Sequence, residues 1–255
     1  MSNSALISCT RLSPFFSKRT HEIDTITIHC VAGNGTADAI GRIFQQTGRN
    51  ASSNYGVGTD GSIGLYVEES CRSWCSSNSA NDNRAVTIEV ANCGGAPDWP
   101  VSEAAWKSMI ALCTDICWRN GIKRLLWKAD KSLVGKIEQQ NMTAHRWFAN
   151  KSCPGNYLYD RMGAIAAEVN RNLEALEDAE MTGEEINRRQ MEYLRSLPTS
   201  EYAEEACRMG IESGLFLDGD NDGLVDNPRA PVTRQDLALV LMRAGLLHKP
   251  TDSQM

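Results

Sequence analysis

The chain has 255 residues with 42% hydrophobic and 23% charged side chains, a composition that predicts packed globular structure rather than wholesale disorder. Its net charge of −6 has acidic and basic residues interleaved and no Lys/Arg block, which argues against nucleic acid as a partner. No stretch approaches the ~20 apolar residues of a membrane span, and the start M-S-N-S-A-L-I-S-C-T lacks the basic and apolar segments of a secretory signal, so synthesis in the cytoplasm is expected. The nine cysteines are odd in number and scattered, which points to reduced thiols rather than a disulfide framework.

In chain order, I-D-T-I-T-I-H (23–29) is β-branched and reads as a strand ending at His29. A Gly/Asn turn and a short helix at Ala37–Phe44 follow. Asn54–Gly58 and Ser62–Val67 flank T-D-G as a hairpin, and Ala85–Ala91 is a further strand that carries Glu89. Trp106, Met109, Ile110, Cys113, Ile116 and Cys117 recur at helical spacing between Ser102 as N-cap and Gly121 as stop. Leu125–Trp127 reads as a short strand, while 130–140 shows no clear pattern. Leu158, Met162, Ile165, Val169 and Leu173 form another helical stripe after Pro154-Gly155. Strands interleaved with helices predict an α/β fold, a mixed central sheet with helices on both faces, over residues 1–176. An acidic linker or helix (177–199), with a capping box at Thr182 and Glu185, leads to a small helical module at 200–255.

The densest chemistry lies in T-A-H-R-W-F-A-N-K-S-C-P-G, placed between two helices, where His145, Lys151 and Cys153 fall within nine residues. Imidazole and thiolate both suit zinc. His29, at a strand end beside a Gly-rich turn, is the best remaining third ligand, since His21 precedes the strand and His248 lies in the tail. Three protein ligands leave the fourth tetrahedral position for water, as in catalytic rather than structural zinc. Glu89 would then take the water's proton and Lys151 stabilise an oxyanion, the parts of an amide hydrolase. Pattern alone leaves other readings open. A single His or Cys is more often packed than ligating, Glu89 could pair with Arg84 or Lys128, and Lys151 could be a solvated loop charge.

Over residues 20–175 these segments resemble the type-2 N-acetylmuramoyl-L-alanine amidases, which share the peptidoglycan-recognition-protein fold and include phage endolysins. I-T-I-H-C-V-A-G is similar to the family's first ligand strand, S-S-N-Y-G-V-G-T-D-G-S-I to its hairpin, A-V-T-I-E-V-A-N to its glutamate strand and H-R-W-F-A-N-K-S-C-P-G to its closing motif, all in the family's order. The resemblance implies one catalytic zinc on His29, His145 and Cys153, catalytic roles for Glu89 and Lys151, and cleavage between N-acetylmuramic acid and L-alanine of peptidoglycan. Some phage members carry a catalytic tyrosine in the hairpin. Aligning on T-D-G puts Ser53 there, with Tyr55 two places along. Asn54, Tyr55, Trp74 and Trp147 are the expected substrate contacts.

In the tail, Gly214-Leu215-Phe216, Asp222-Gly223 and Pro231-Val232-Thr233-Arg234 resemble a single S-layer-homology repeat, which implies attachment to a secondary wall polymer or association between copies. Asp218, Asp220, Asp222 and Gly223 mimic a calcium loop through Asp226, but Arg229 stands where the bidentate glutamate belongs, so a plain Asx-rich loop is expected without Ca2+. Met181 could start a shorter product of the tail alone. Together these features suggest a phage or prophage endolysin made in the host cytoplasm, released by a separate factor and active at a Gram-positive wall. A non-catalytic peptidoglycan-binding protein and a cytosolic wall-recycling amidase are the alternatives.

Overall fold

The computed structural model describes residues 2–180, 183–196, 204–213, 237, 240–242 and 244–246. Its chain contacts divide it into two units, Met1–Ala179 and Glu180–Met255. In the first, a six-stranded mixed sheet has the order β1 (Cys9–Thr10), β5 (Ile63–Leu65), β4 (Tyr55–Val57), β7 (Ala85–Val90), β3 (Thr25–Cys30), β8 (Met142–Ala144). Only the hairpin pair β4 and β5 runs antiparallel. Its turn closes through a Gly58 N–H to Ser62 carbonyl bond of 2.8 Å, and Gly61 supplies the positive φ of 82°. A second pair, β2 (Phe16–Lys18) and β6 (Cys71–Ser73), stands apart.

The alternation of side chains along a strand decides everything that follows. On β3, β7 and β8 one set, Ile26, Ile28, Val86, Ile88, Val90 and Met142, is fully buried in the main apolar core. That face is covered by α3 (Glu103–Arg119), capped by the Ser102 hydroxyl on the Ala105 N–H, and by α5 (Met162–Glu180). The other set, Thr27, His29, Thr87, Glu89 and Thr143, faces the opposite side. There α1 (Ala37–Phe44) and α2 (Ser79–Arg84) lie. Tyr66 spans from Gly64, where a Cβ would meet its ring at 2.6 Å, to the Ala37 carbonyl, which its hydroxyl reaches at 2.6 Å. This holds α1 to the sheet through a small second cluster of Ile40, Phe44 and Ala91. Buried Arg19 donates to the carbonyls of Glu69, Cys71, Asp82, Asn83 and Ala85, clasping β6, α2 and the start of β7 together.

Several expectations are corrected. Leu125–Trp127 forms no strand, because side chains take its backbone: Asn170 binds both the N–H and carbonyl of Leu125, and Asn141 Oδ1 accepts from Leu126. The motif containing His145 follows β8 rather than a helix. The stripe after Pro154 splits into α4 (Gly155–Tyr159) and α5. Elements β1, β2, β6, β8 and α2 were not foreseen; α2 is a polar S-A-N-D-N-R helix fixed by the Asn78 cap on the Asn81 N–H.

In the second unit, α6 (Gly183–Ser196) carries Arg188 paired with Glu185 and Glu192 at helical spacing, and α7 (Glu204–Glu212) follows. Met181, Thr182, the 218–226 loop and the repeat-like stretch from 214 to 236 lie outside the described residues. No described helix is long and apolar enough to cross a membrane.

Candidate active site

The polar face of the sheet carries the site. His29 and Glu89 are directly paired across β3 and β7, and Thr143 on β8 pairs with Thr27, so the next outward step of β8 delivers His145 beside His29. Their rings stand edge-on with centroids 5.0 Å apart. After a turn in which the Arg146 N–H bonds the Cys153 carbonyl at 3.1 Å, the Cys153 thiol returns to 3.4 Å from His29 Nδ1. Donor atoms of His29, His145 and Cys153 all lie within 4.8 Å of one another. Lower on the same face the threonines form a sealed polar layer: Thr27 and Thr143 hydroxyls meet at 2.7 Å, and Asn81 bonds both.

Burial, and then the neighbouring His145, hold His29 well below the ordinary histidine range. Burial followed by the Lys151 charge lowers His145 as well. Both imidazoles are therefore neutral at pH 7 and able to donate a lone pair. The Cys153 thiol is pushed up by its hydrogen bond with Cys30, by burial and by Glu89, while Cys30 is lowered by the same bond. A bound divalent cation would reverse that order, because a coordinating thiol is deprotonated outright.

Among the described residues only five buried side-chain polar atoms lack a partner, and His29 Nε2 and Glu89 Oε2 are two of them. Unpaired buried polar atoms are costly and call for an occupant. With two neutral imidazoles and a thiol converging, the residues fit a borderline-soft divalent cation. Burial raises the Glu89 carboxyl to about 8, with the Cys30 charge adding to the rise. The pairing of Glu89 with Arg84 or Lys128 does not occur: Arg84 binds Asp24, and the contact to Glu89 is the Cys75 thiol, 3.8 Å from Oε1.

Outside this cluster lies a cleft of about 610 Å³ lined by Arg49, Arg72, Trp74, Cys75, Asp82 and Ser77, with Glu89, His145 and Lys151 on its floor and edge. A neighbouring hollow of about 280 Å³ reaches Cys30 and Cys153. Lys151 is exposed and reaches both. Of the expected substrate contacts, Trp74 lines the cleft, 37% exposed and held by Nε1–H to the Ser17 hydroxyl. The other three do not. Asn54 is fully buried, its amide donating to the Val67 carbonyl and accepting from the Thr87 N–H. Tyr55 points to the apolar side and donates to Glu69 Oε1 at 2.6 Å. Trp147 stacks on Trp127 at 5.0 Å, packed in an aromatic cluster with Tyr159. Ser53, at the place of the tyrosine in some phage members, is also buried and bonds the Thr87 carbonyl. Arg49, Arg72, Cys75 and Ser77 were not foreseen; the polar run R-S-W-C-S-S-N-S was the only signal for the last three, and Arg49 had none.

A family model described as N-acetylmuramoyl-L-alanine amidase matches residues 19–156. Among solved structures, a selenomethionine derivative of AmpD is 18% identical, covering 64% of this chain and 96% of that one, with TM-score 0.49. A mutant endolysin from Bacillus subtilis is 16% identical over 64% of this chain and 99% of that one, TM-score 0.47. Drosophila peptidoglycan recognition protein SA is 15% identical over 60% and 90%, TM-score 0.45. No curated protein sequence matches the chain.

Proposed function

The chain belongs to the N-acetylmuramoyl-L-alanine amidase family, and from that premise we propose that it is a zinc-dependent hydrolase of the amide joining N-acetylmuramic acid to L-alanine in peptidoglycan, working as a phage or prophage endolysin. The observation that carries the reading is the convergence of His29, His145 and Cys153 donor atoms within 4.8 Å, with Glu89 at the paired position of the adjacent strand. Those three residues would hold the zinc, and zinc so held supplies Lewis acidity, lowering the pKa of a water towards ~7 and polarising a carbonyl.

The chain's own groups do the rest. Burial raises the Glu89 carboxyl to about 8, a basicity that suits a general base, and a nearby cation would draw it back down. It takes the proton of the attacking water and returns it to the departing alanine nitrogen. The Lys151 ammonium, on the rim of both hollows, stabilises the negative charge that develops on the carbonyl oxygen. Trp74 and the cleft beside it position the glycan and stem peptide. The tail would serve as its wall-attachment or self-association module.

The test is release of new N-terminal alanine from purified Gram-positive walls, before and after chelation and after zinc is restored. Release that disappears on chelation and returns with zinc is expected. Wall binding without any release of alanine would transfer the chain to the non-catalytic binding class.

A further inference from the structure

Cys75 has no part in the mechanism above, yet its thiol is the contact to the Glu89 carboxylate, with Sγ 3.8 Å from Oε1. Its place is set by the surrounding chain rather than by loose packing. Leaving β6, Ser73 bonds the Thr87 hydroxyl at 2.7 Å, and Trp74 exchanges bonds with Ser52, N–H to hydroxyl at 2.9 Å and carbonyl from N–H at 3.0 Å. The Cys75 N–H then donates to Asp82 Oδ2 at 3.0 Å, and Asp82 is itself fixed by the Ser76 hydroxyl at 2.5 Å. Five consecutive anchors thus aim one side chain at one carboxylate oxygen. The other oxygen, Oε2, is buried and without a partner.

A thiol can donate a weak hydrogen bond or, as thiolate, repel a carboxylate. Here burial, and then the charges of Glu89 and Asp82, drive its pKa well above the ordinary thiol value, so the proton stays on sulfur. We propose that Cys75 is a positioning residue for the reaction: its S–H holds Glu89 Oε1 and so leaves Oε2 as the oxygen that exchanges protons with water and substrate. This rests on the functional reading above, in which Glu89 is the base. Serine would supply a donor from nearly the same place; alanine would lose the donor along with the sulfur's small volume.

The experiment compares Cys75→Ala and Cys75→Ser with wild type in two readouts. In alanine release from walls, Cys75→Ala is expected to lower kcat about 3- to 10-fold with KM and zinc content unchanged, and Cys75→Ser to restore most of it. Equal losses in both variants, or a change confined to KM, would overturn the proposal. The second readout needs no turnover. The S–H infrared band of Cys75, isolated as the difference between wild type and Cys75→Ser, is expected at a lowered frequency and should move up in Glu89→Gln, since an amide oxygen accepts more weakly than a carboxylate. A band indifferent to Glu89→Gln would overturn the bond itself. A band that moves up in Glu89→Gln while the wild type releases no alanine would instead locate the failure in the functional reading.

Discussion

The two faces of the sheet are made by the same strands, one wholly buried and the other buried except where Glu89 meets the cleft, and they do opposite work. Ile26, Ile28, Val86 and Ile88 point one way into an apolar core, while Thr27, His29, Thr87 and Glu89 point the other. The first set gains stability by removing hydrocarbon from water. The second lowers it, since a buried carboxylate and a buried imidazole with unpartnered atoms are unfavourable until something occupies the space between them. A one-residue alternation thus separates what holds the fold from what performs the chemistry, and substitutions on the two faces should fail in different ways.

The largest effect is expected on the polar face. Cys153→Ala or His29→Ala should remove zinc and lower alanine release by on the order of 10³-fold or more, with the fold retained by circular dichroism. Next, Glu89→Gln should keep zinc and lose about 10²–10³-fold in kcat. The same substitution has a pH signature in the zinc-free protein. Because folding raises the Glu89 carboxyl from 4.5 to about 8, the folded chain binds more protons across that window, and stability falls as pH rises through it. Glu89→Gln escapes this loss, so its advantage over wild type in urea melts should grow from about pH 4.5, level off above about pH 8, and reach about 5 kcal/mol at most. A constant difference at all pH values would show that the carboxyl is not raised.

On the apolar face, Ile88→Ala should cost ~2–4 kcal/mol in chemical denaturation while leaving kcat of the folded fraction unchanged. The smallest effects separate two tryptophans. Trp74→Ala, in the cleft, should raise KM about 3- to 10-fold with little change in Tm, whereas Trp147→Ala, stacked on Trp127, should lower Tm and leave KM alone. A reversal of that pair would move the substrate path to the other side of the molecule.

Much of this division was legible in the sequence. The β-branched run ending in His29, the hairpin around T-D-G and the strand bearing Glu89 each carry a period that survives folding, as does the α3 stripe from Trp106 to Cys117. What was hidden depends on partners distant in sequence. Strand β8 is three residues long and owes its existence to pairing with β3, not to its own M-T-A. Leu125–Trp127 has strand composition, but Asn141 and Asn170 occupy its backbone groups. Asn54 and Tyr55 sit in the hairpin motif, yet bonds to Val67 and Thr87 bury Asn54 while Tyr55 lies on the apolar side, so neither reaches the cleft. Cys75 carries no local pattern at all; its meaning comes from a carboxylate fourteen residues away.

The most direct test of the central claim is metal content by mass spectrometry of the purified chain and its His29→Ala, His145→Ala, Cys153→Ala and Glu89→Gln variants. The account predicts about one zinc per chain in wild type and Glu89→Gln, and next to none in the other three. Zinc that persists after loss of any of the three donors, or a wild type that takes up none when zinc is supplied, would contradict it.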